Sequence, residues 1–316
     1  MNPSRRACLA ASLAGMLVAT VAGFAGGARL VTFGAVAAMH ICKPFQALNL
    51  IAPRAGIVAT TGIAYAPGPR HKLDLYAPAR SARPAPVVVF FYGGGWETGD
   101  RATYRFVGAS LAERGVVVAI PDYRLHPAVR FPAFEQDAAA AIAWVKANIG
   151  RHGGDARRLF LMGHSAGAQI AALLAVDPEY LWAQHLSPRD VCGVIGLAGP
   201  YDFRPASKQG QDLFGPPQAW ARWQPITYAS AAAPSMLLLA GASDRTIDPR
   251  STLRFAASLQ AKGGSAESRL FPGITHTAIV AALATPLHFL APAADATLAL
   301  IRRGGSCGPA SAGETR

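Results

Sequence analysis

From residue 44 onward, short apolar runs alternate with longer stretches in which apolar positions recur at helical spacing, and glycine, proline and polar clusters separate them. This alternation is typical of strand–helix–strand units, and the continuously apolar runs indicate strands buried on both faces. The predicted strands cover residues 63–65, 73–76, 86–92, 116–120, 159–162, 194–197, 236–239 and 267–271, and the clearest helices cover residues 106–114, 134–148 and 169–174. The sequence therefore predicts the α/β fold class, with a mostly parallel central sheet flanked by helices.

Residues 1–43 have a different pattern. Arg5 and Arg6 precede an uncharged, largely apolar run over residues 7–27, which is the order of a signal peptide or a membrane anchor. Basic residues on the N-terminal side direct the rest of the chain out of the cytoplasm, so we expect a protein of the cell envelope, periplasmic or membrane-anchored. A small-residue pattern at 35–37 leaves cleavage and retention both open. The alternative is a buried N-terminal helix of a cytoplasmic protein.

Composition narrows the possible partners. Hydrophobic residues make up 51% of the 316 residues, which is enough for a buried sheet, and the net charge of +12 comes from scattered arginines without a basic run. Nucleic-acid binding is therefore not expected; the charge indicates a solvated basic surface or a weak attraction to an anionic membrane. The four cysteines have neither zinc-site spacing nor the spacing of a disulfide framework, and Cys192 is expected to be a buried small hydrophobe. No metal is predicted.

The segment 163–167 reads Gly-His-Ser-Ala-Gly and lies between the predicted strand 159–162 and the predicted helix 169–174. A sharp strand-to-helix turn needs glycines on both sides of the serine, because larger side chains would collide there. The turn also leaves Ser165 at a helix N-terminus, where free N–H groups stabilise negative charge. This context predicts that Ser165 is a nucleophile.

A glycine triplet, residues 93–95, follows the strand 86–92. Glycines leave backbone N–H groups accessible, and such donors can hold the oxygen that becomes charged when an acyl carbon turns tetrahedral. The order of the two motifs along the chain, with the triplet before the serine turn, is that of an oxyanion loop followed by a nucleophile. A flexible turn would not require this order.

A serine nucleophile needs a base and an acid to activate it. Asp244 follows the strand 236–239 closely, at the edge where α/β sheets collect their sites, and is preferred over Asp248, which is farther away and flanked by proline. His276 lies on a loop after the strand 267–271 and completes the order serine, aspartate, histidine. The other candidate histidines fit less well: His126 precedes both partners, His164 lies inside the turn and is expected to be structural, and His288 lies in an apolar segment.

Residues 201–234, between the last two central strands, are rich in proline, glycine and aromatic side chains. Long ordered segments of this kind are either functional or packed by their own side chains. Two interpretations remain open. The segment is a cap that faces the substrate, or it is a surface excursion packed on its own aromatic residues.

Five stretches together resemble a known group of proteins: LDLYAP at 73–78, FYGGGW at 91–96, IPDYRL at 120–125, GHSAGA at 163–168 and LAGPYDF at 197–203. Residues 63–301 are similar to bacterial α/β-hydrolase carboxylesterases of the hormone-sensitive-lipase branch, near feruloyl esterases, prenylcysteine methylesterases and kynurenine formamidases. In that group the glycine triplet usually follows a histidine, whereas Tyr92 stands here. This departure concerns the anchoring of the loop and the choice of substrate rather than the catalytic residues.

The resemblance implies the α/β-hydrolase fold and hydrolysis of small or medium carboxylic esters through an acyl-enzyme. It implies a triad of Ser165, Asp244 and His276, oxyanion donors at Gly94, Gly95 and Ala166, and no metal or organic cofactor. The expected domains are a leader at 1–43, a catalytic domain at 44–304 and a flexible tail at 305–316. The expected partners are a small-molecule ester and, through the N-terminal segment, a membrane; the sequence does not define the oligomeric state.

Three other functions remain open at this point. The same residues would serve an amidase of the kynurenine-formamidase type. The chain could also be a catalytically inactive binding protein tethered in the envelope, although the intact set of serine, aspartate and histidine argues against that. The third is a lipase that acts on bulk lipid. Only the apolar leader supports it, and a role of the leader in export explains that feature better.

Overall fold

The computed structural model describes residues 44–205, 207–305 and residue 307. Its eight strands form one sheet: β1 (Ile57–Ala64), β2 (Lys72–Pro78), β3 (Ala85–Phe91), β4 (Val117–Pro121), β5 (Gly154–His164), β6 (Gly193–Leu197), β7 (Met236–Gly241) and β8 (Ala266–Phe271). The predicted leader lies outside the described residues, and so does all of the predicted tail except residues 305 and 307.

The strand order across the sheet is β1-β2-β4-β3-β5-β6-β7-β8. The pairs β1–β2 and β2–β4 are antiparallel, and every other pair is parallel. The α/β-hydrolase fold with a mostly parallel sheet is thus confirmed. The central strands are the continuously apolar runs of the sequence, because strands covered by helices on both faces bury every side chain. The edge strand β1 is mostly exposed, and the strand predicted at residues 63–65 covers only its C-terminal end.

Helices cover both faces of the sheet. They are α1 (Pro44–Ile51), α2 (Arg105–Ala112), α3 (Ala133–Asn148), α4 (Ala166–Val176), α5 (Glu179–Trp182), α6 (Lys208–Phe214), α7 (Arg250–Ala261), α8 (His276–Ala281) and α9 (Ala293–Arg303). The three helices predicted most clearly from the sequence correspond to α2, α3 and α4. In the part of the chain that the structure describes, no helix has the length and apolar character needed to cross a membrane.

The carboxyl ends of β3, β5, β7 and β8 meet at one edge of the sheet, because these strands run parallel. The glycine triplet follows β3, Ser165 follows β5, Asp244 follows β7 and His276 follows β8. Parallel sheets collect their ligand sites at this edge. The fold therefore gathers residues that are up to 183 positions apart in the sequence numbering, 93 to 276, into one place.

The segment 201–234 packs on its own aromatic side chains. Trp223 is fully buried, and its ring stacks on Phe214 with centroids 4.3 Å apart. Phe214 in turn meets the ring of Trp96 edge-on, with centroids 4.8 Å apart. The structure therefore favours the second interpretation, a segment packed on its own aromatic residues. Through Phe214 this segment contacts Trp96, which follows the glycine triplet.

A disulfide joins Cys192, just before β6, to Cys307, beyond α9, with Cα atoms 5.2 Å apart. The expectation that Cys192 is an unlinked small hydrophobe is therefore wrong. Its side chain is buried as expected, but its sulfur is bonded. The partner lies 115 residues away, so local cysteine spacing contains no signal for this pair.

We expect the disulfide to stabilise the fold because it restricts the unfolded chain across a long loop. Replacing Cys192 and Cys307 together by alanine is expected to lower the free energy of unfolding by about 2 to 5 kcal/mol. Denaturant unfolding of the wild type and the double variant measures the difference. Dithiothreitol should reproduce the loss in the wild type and leave the variant unchanged; a wild type whose unfolding is insensitive to reductant would contradict this prediction.

Candidate active site

Ser165 occupies the turn between β5 and α4 with a left-handed backbone, φ 55° and ψ −121°. Glycines flank the turn because two backbones come too close for a side chain. A Cβ at Gly163 would lie 2.0 Å from the Gly167 carbonyl oxygen, and a Cβ at Gly167 would lie 2.0 Å from the Phe91 carbonyl oxygen. The Gly-x-Ser-x-Gly pattern is therefore a steric requirement of this turn, and it leaves the serine at the N-terminus of α4.

The structure brings the three predicted side chains together in a chain of hydrogen bonds. His276 Nε2 lies 2.9 Å from Ser165 Oγ, and His276 Nδ1 lies 2.7 Å from Asp244 Oδ2. Ser165 and Asp244 are both buried, and His276 is the first residue of α8, which Thr275 caps. In this arrangement Nδ1–H donates to the carboxylate, so Nε2 is free to accept the serine proton.

The Asp244 carboxylate stays ionised although it is buried. Burial by itself raises the pKa, but a hydrogen bond from His276 and backbone N–H bonds from Ile247 and Thr246 outweigh it, so the pKa lies below its ordinary value. An ionised Asp244 fixes the proton of His276 on Nδ1. The alternative, Asp248, is exposed and pairs instead with Arg250 and Arg254.

His164 is neutral and makes a hydrogen bond to the backbone of His276. Its Nε2 lies 2.9 Å from the His276 carbonyl oxygen, so the ring donates a hydrogen bond there. Burial, and next the proximity of His276, lower the pKa of His164 to about 3. The remaining candidate histidines lie elsewhere in bonded pairs: His126 with Asp212 and His288 with Arg114.

The glycine triplet packs directly against the serine turn. A Cβ at Gly93 would lie 3.0 Å from the Ser165 Cβ. Gly94 and Gly95 have left-handed φ values of 136° and 63°, and a Cβ at Gly94 would lie 2.1 Å from the Thr98 carbonyl oxygen. Within the described residues, the N–H groups of Gly94 and Gly95 donate to no backbone carbonyl, so both remain available to a ligand.

Tyr92 anchors this loop from the position where the resembling group has histidine. Its buried hydroxyl donates to Asp122 Oδ1 at 3.0 Å and accepts from Arg70 Nη2 at 2.6 Å. Tyr123 donates to the Tyr92 carbonyl at 2.7 Å, and Asp122 also pairs with Arg101. The loop is therefore held by a buried tyrosine and an ion-pair network.

A cleft of ≈ 590 Å³ opens at Ser165, His276 and the glycine loop, which is the glycine triplet together with the following Trp96. Phe45 from α1 and Tyr104 form an aromatic wall, with ring centroids 5.2 Å apart. The other lining residues are small or polar: Thr98, Gly99, Asp100, Thr103, His164, Thr246 and Thr277. Sequence reasoning missed Phe45 because α1 is a short helix next to the leader. None of the described residues of segment 201–234 lines the cleft.

Comparison with known proteins places this geometry in context. A family model described as BD-FAE matches residues 73–259. The isoprenylcysteine α-carbonyl methylesterase ICME of Arabidopsis thaliana is 34% identical over 237 residues, which is 68% of this chain and 56% of that protein. Esterase LipC of Mycobacterium tuberculosis is 30% identical, over 68% of this chain and 58% of its own. The chain thus spans a little over half the length of these curated relatives.

Solved structures share the fold at lower identity. A truncated carbohydrate esterase from gut microbiota superposes with a TM-score of 0.69 at 20% identity, covering 80% of this chain and 99% of that chain. Esterase B from Lactobacillus rhamnosis, inhibited by a tributyrin phosphonate, superposes with a TM-score of 0.69 at 22% identity, covering 82% and 89%. These likenesses concern the fold alone.

The two exposed glycines of the loop should differ in their tolerance of a side chain. Gly95→Ala keeps open space around the new Cβ and is expected to cost about 1 to 2 kcal/mol of stability for its left-handed backbone. Gly94→Ala adds a collision with the Thr98 carbonyl and is expected to cost about 3 kcal/mol or more. Thermal and denaturant unfolding of the matched pair measure both values. Equal losses would mean that the Gly94–Thr98 contact does not constrain the loop.

Proposed function

The chain belongs to the BD-FAE family, whose model covers more than half of it, and we propose that it is a serine hydrolase that cleaves carboxylic esters. The observation that supports this most directly is the pair of distances at His276, 2.9 Å to Ser165 Oγ and 2.7 Å to Asp244 Oδ2. A serine at its ordinary pKa is a weak nucleophile, and a histidine oriented by a carboxylate is one of the few groups that can activate it.

The proposed reaction has two halves. His276 Nε2 takes the Ser165 proton while Oγ attacks the ester carbonyl, and the protonated histidine then gives that proton to the departing alcohol. Water next enters, loses a proton to the same nitrogen and attacks the acyl-serine, and the proton returns to Ser165 as the carboxylic acid leaves. Asp244 remains ionised throughout and stabilises the charged ring.

The charge on the substrate oxygen would be held by the N–H groups of Gly94, Gly95 and Ala166. Gly94 and Gly95 line the cleft, and Ala166 is the first residue of α4, where the helix dipole favours an anion. Each such donor is worth about 3 to 4 kcal/mol of barrier. The steric packing of Gly93 on Ser165 keeps the donors close to the nucleophile.

The substrate class is a small or medium ester. The open cleft of ≈ 590 Å³, with its aromatic wall and its row of threonine hydroxyls, suits a ligand with both an apolar part and polar groups. ICME is named as a methylesterase and the gut-microbiota neighbour as a carbohydrate esterase. These names favour ester cleavage over the formamidase and binding-protein alternatives.

We further propose that the protein works in the cell envelope, associated with the membrane through residues 1–43 if these are retained. Two observations support this location. Arg5 and Arg6 precede an uncharged apolar run, and the Cys192–Cys307 bond requires an oxidising compartment of the kind found outside the cytoplasm. A free thiol pair in protein isolated from the native cell would argue for the cytoplasm.

The direct test of the proposed activity is hydrolysis of p-nitrophenyl esters of increasing acyl length by the full chain. We expect turnover of the shorter esters, a fall by about 10⁴-fold or more in Ser165→Ala, and labelling of the wild type by a fluorophosphonate probe that the variant lacks. The acyl length at which kcat/KM declines measures the usable part of the cleft. A folded wild type that neither hydrolyses any ester nor takes up the probe would refute the proposal.

Two aspartates provide a matched test of the acid. Asp244→Asn is expected to lower kcat by about 10⁴-fold, because the amide no longer holds the proton of His276 on Nδ1. Asp248→Asn removes a carboxylate four positions away that pairs with surface arginines, and its kcat should stay near that of the wild type. Steady-state kinetics of the two variants separates the roles. A large loss of kcat in Asp248→Asn would show that Asp244 is not the acid of the triad.

A further inference from the structure

Gln169 joins three segments that meet behind the active site. It is a fully buried residue of α4, four positions after Ser165. Its Oε1 accepts a hydrogen bond from Trp96 Nε1 at 3.2 Å, and its Nε2 donates to the Trp223 carbonyl at 2.9 Å. An indole N–H can only donate and a carbonyl can only accept, so the two partners fix the orientation of the carboxamide. One side chain thus links the nucleophile helix, the glycine loop and segment 201–234.

The residue that Gln169 holds in the glycine loop has a strained backbone. Trp96 follows Gly95 directly and has φ 61°, a left-handed conformation that is a true outlier for a bulky residue. Such a conformation persists where the surroundings over-determine it. Here the surroundings are the hydrogen bond from Trp96 Nε1 to Gln169, the backbone hydrogen bond from the His126 N–H to the Trp96 carbonyl at 2.9 Å, and the contacts of the indole ring with Phe134 and Phe214. Gln169 therefore supplies one of the restraints that keep Trp96 in this conformation.

The carboxamide lies in an uncharged environment. Glu135 of α3 is fully buried beside it, and burial raises the pKa of Glu135 to about 8, an increase that the Gln169 amide partly opposes and Asp177 adds to. A protonated carboxylic acid therefore faces the carboxamide at neutral pH. A carboxylate at position 169 could not donate to the Trp223 carbonyl, so a neutral amide suits this position.

We propose that Gln169 is a positioning residue for the esterase reaction, and that its carboxamide, by holding Trp96, keeps the Gly94 and Gly95 N–H groups aimed at the charge that develops on the substrate oxygen. This inference rests on the proposed function. Donors stabilise an oxyanion efficiently when they are fixed before the charge appears. A displacement of about 1 Å caused by a change outside the reacting atoms can reduce the rate about 100-fold.

The proposal also gives segment 201–234 a role. None of its described residues lines the cleft, yet Trp223 accepts the second bond of Gln169, and Phe214 packs on Trp96. The segment therefore braces the glycine loop from the outside. It acts on the donors rather than on the substrate.

Two variants break the same link from opposite sides. Gln169→Ala removes the carboxamide, and Trp96→Phe removes the indole N–H while keeping an aromatic ring against Phe214. Ser110→Ala is the matched control, because Ser110 is a buried side chain whose hydroxyl accepts one backbone N–H bond, from Thr285 at 3.1 Å, and lines no part of the cleft. All variants are made in the full chain and assayed with a short p-nitrophenyl ester.

We expect kcat to fall about 10- to 100-fold in Gln169→Ala and Trp96→Phe, with KM within about threefold of the wild type. The inhibition constant of an aryl trifluoromethyl ketone, which adds to the serine and forms an oxyanion, should rise by the same factor by which kcat/KM falls. The double variant should lose little more kcat than Gln169→Ala, because both changes break the same hydrogen bond. Ser110→Ala should lose stability but keep its kcat.

Loss of kcat no larger than in Ser110→Ala, or a ketone inhibition constant that stays constant while kcat falls, would overturn the proposal. If Gln169→Ala does not fold, Trp96→Phe decides the question by itself. A wild type that is inactive and unlabelled by a fluorophosphonate would refute the proposed function. An active, labelled wild type with a fully active Trp96→Phe would refute this inference alone.

Discussion

Ser165 keeps its left-handed backbone because β3, β5 and α4 approach one another so closely that glycine alone fits at positions 163 and 167. A conformation of this kind costs about 1 to 3 kcal/mol, and the surrounding sheet must hold it in place. The buried C-terminal parts of β3 and β5 provide that rigidity through a long parallel pairing. The same closeness brings the glycine triplet into contact with the serine, so the nucleophile and the expected oxyanion donors share one steric constraint.

Burial has opposite consequences for the ionisable groups near this turn, and the difference lies in their partners. Asp244 stays ionised because His276 and two backbone N–H groups donate to it. Burial raises the pKa of Glu135 to about 8, with the Gln169 amide as the opposing donor, so this acid is mostly neutral at pH 7. His164 is neutral because burial, and next the proximity of His276, lower its pKa. Asp244 therefore provides a fixed negative charge beside His276, where the proposed chemistry creates a positive one.

Local pattern was enough to predict the central strands, the serine turn and the choice of Asp244, because each signal lies within about ten residues of the chain. Most of the edge strand β1 and the whole of helix α1 escaped prediction, since β1 is largely exposed and α1 is short. The links that hold the site were also invisible in the sequence. Tyr92 meets Arg70 and Asp122, and Gln169 meets Trp96 and Trp223, through contacts that only the folded sheet brings about.

The bond between Cys192 and Cys307 divides the site in a way that the sheet does not. The covalent loop that it closes contains Asp244 and His276, whereas Ser165 and the glycine triplet lie outside it. During biosynthesis this loop can close only after β6, β7, β8 and α9 have all been made, because Cys307 follows α9 in the chain. The segment that carries the proposed base and acid is therefore covalently enclosed only in a chain whose second half is complete.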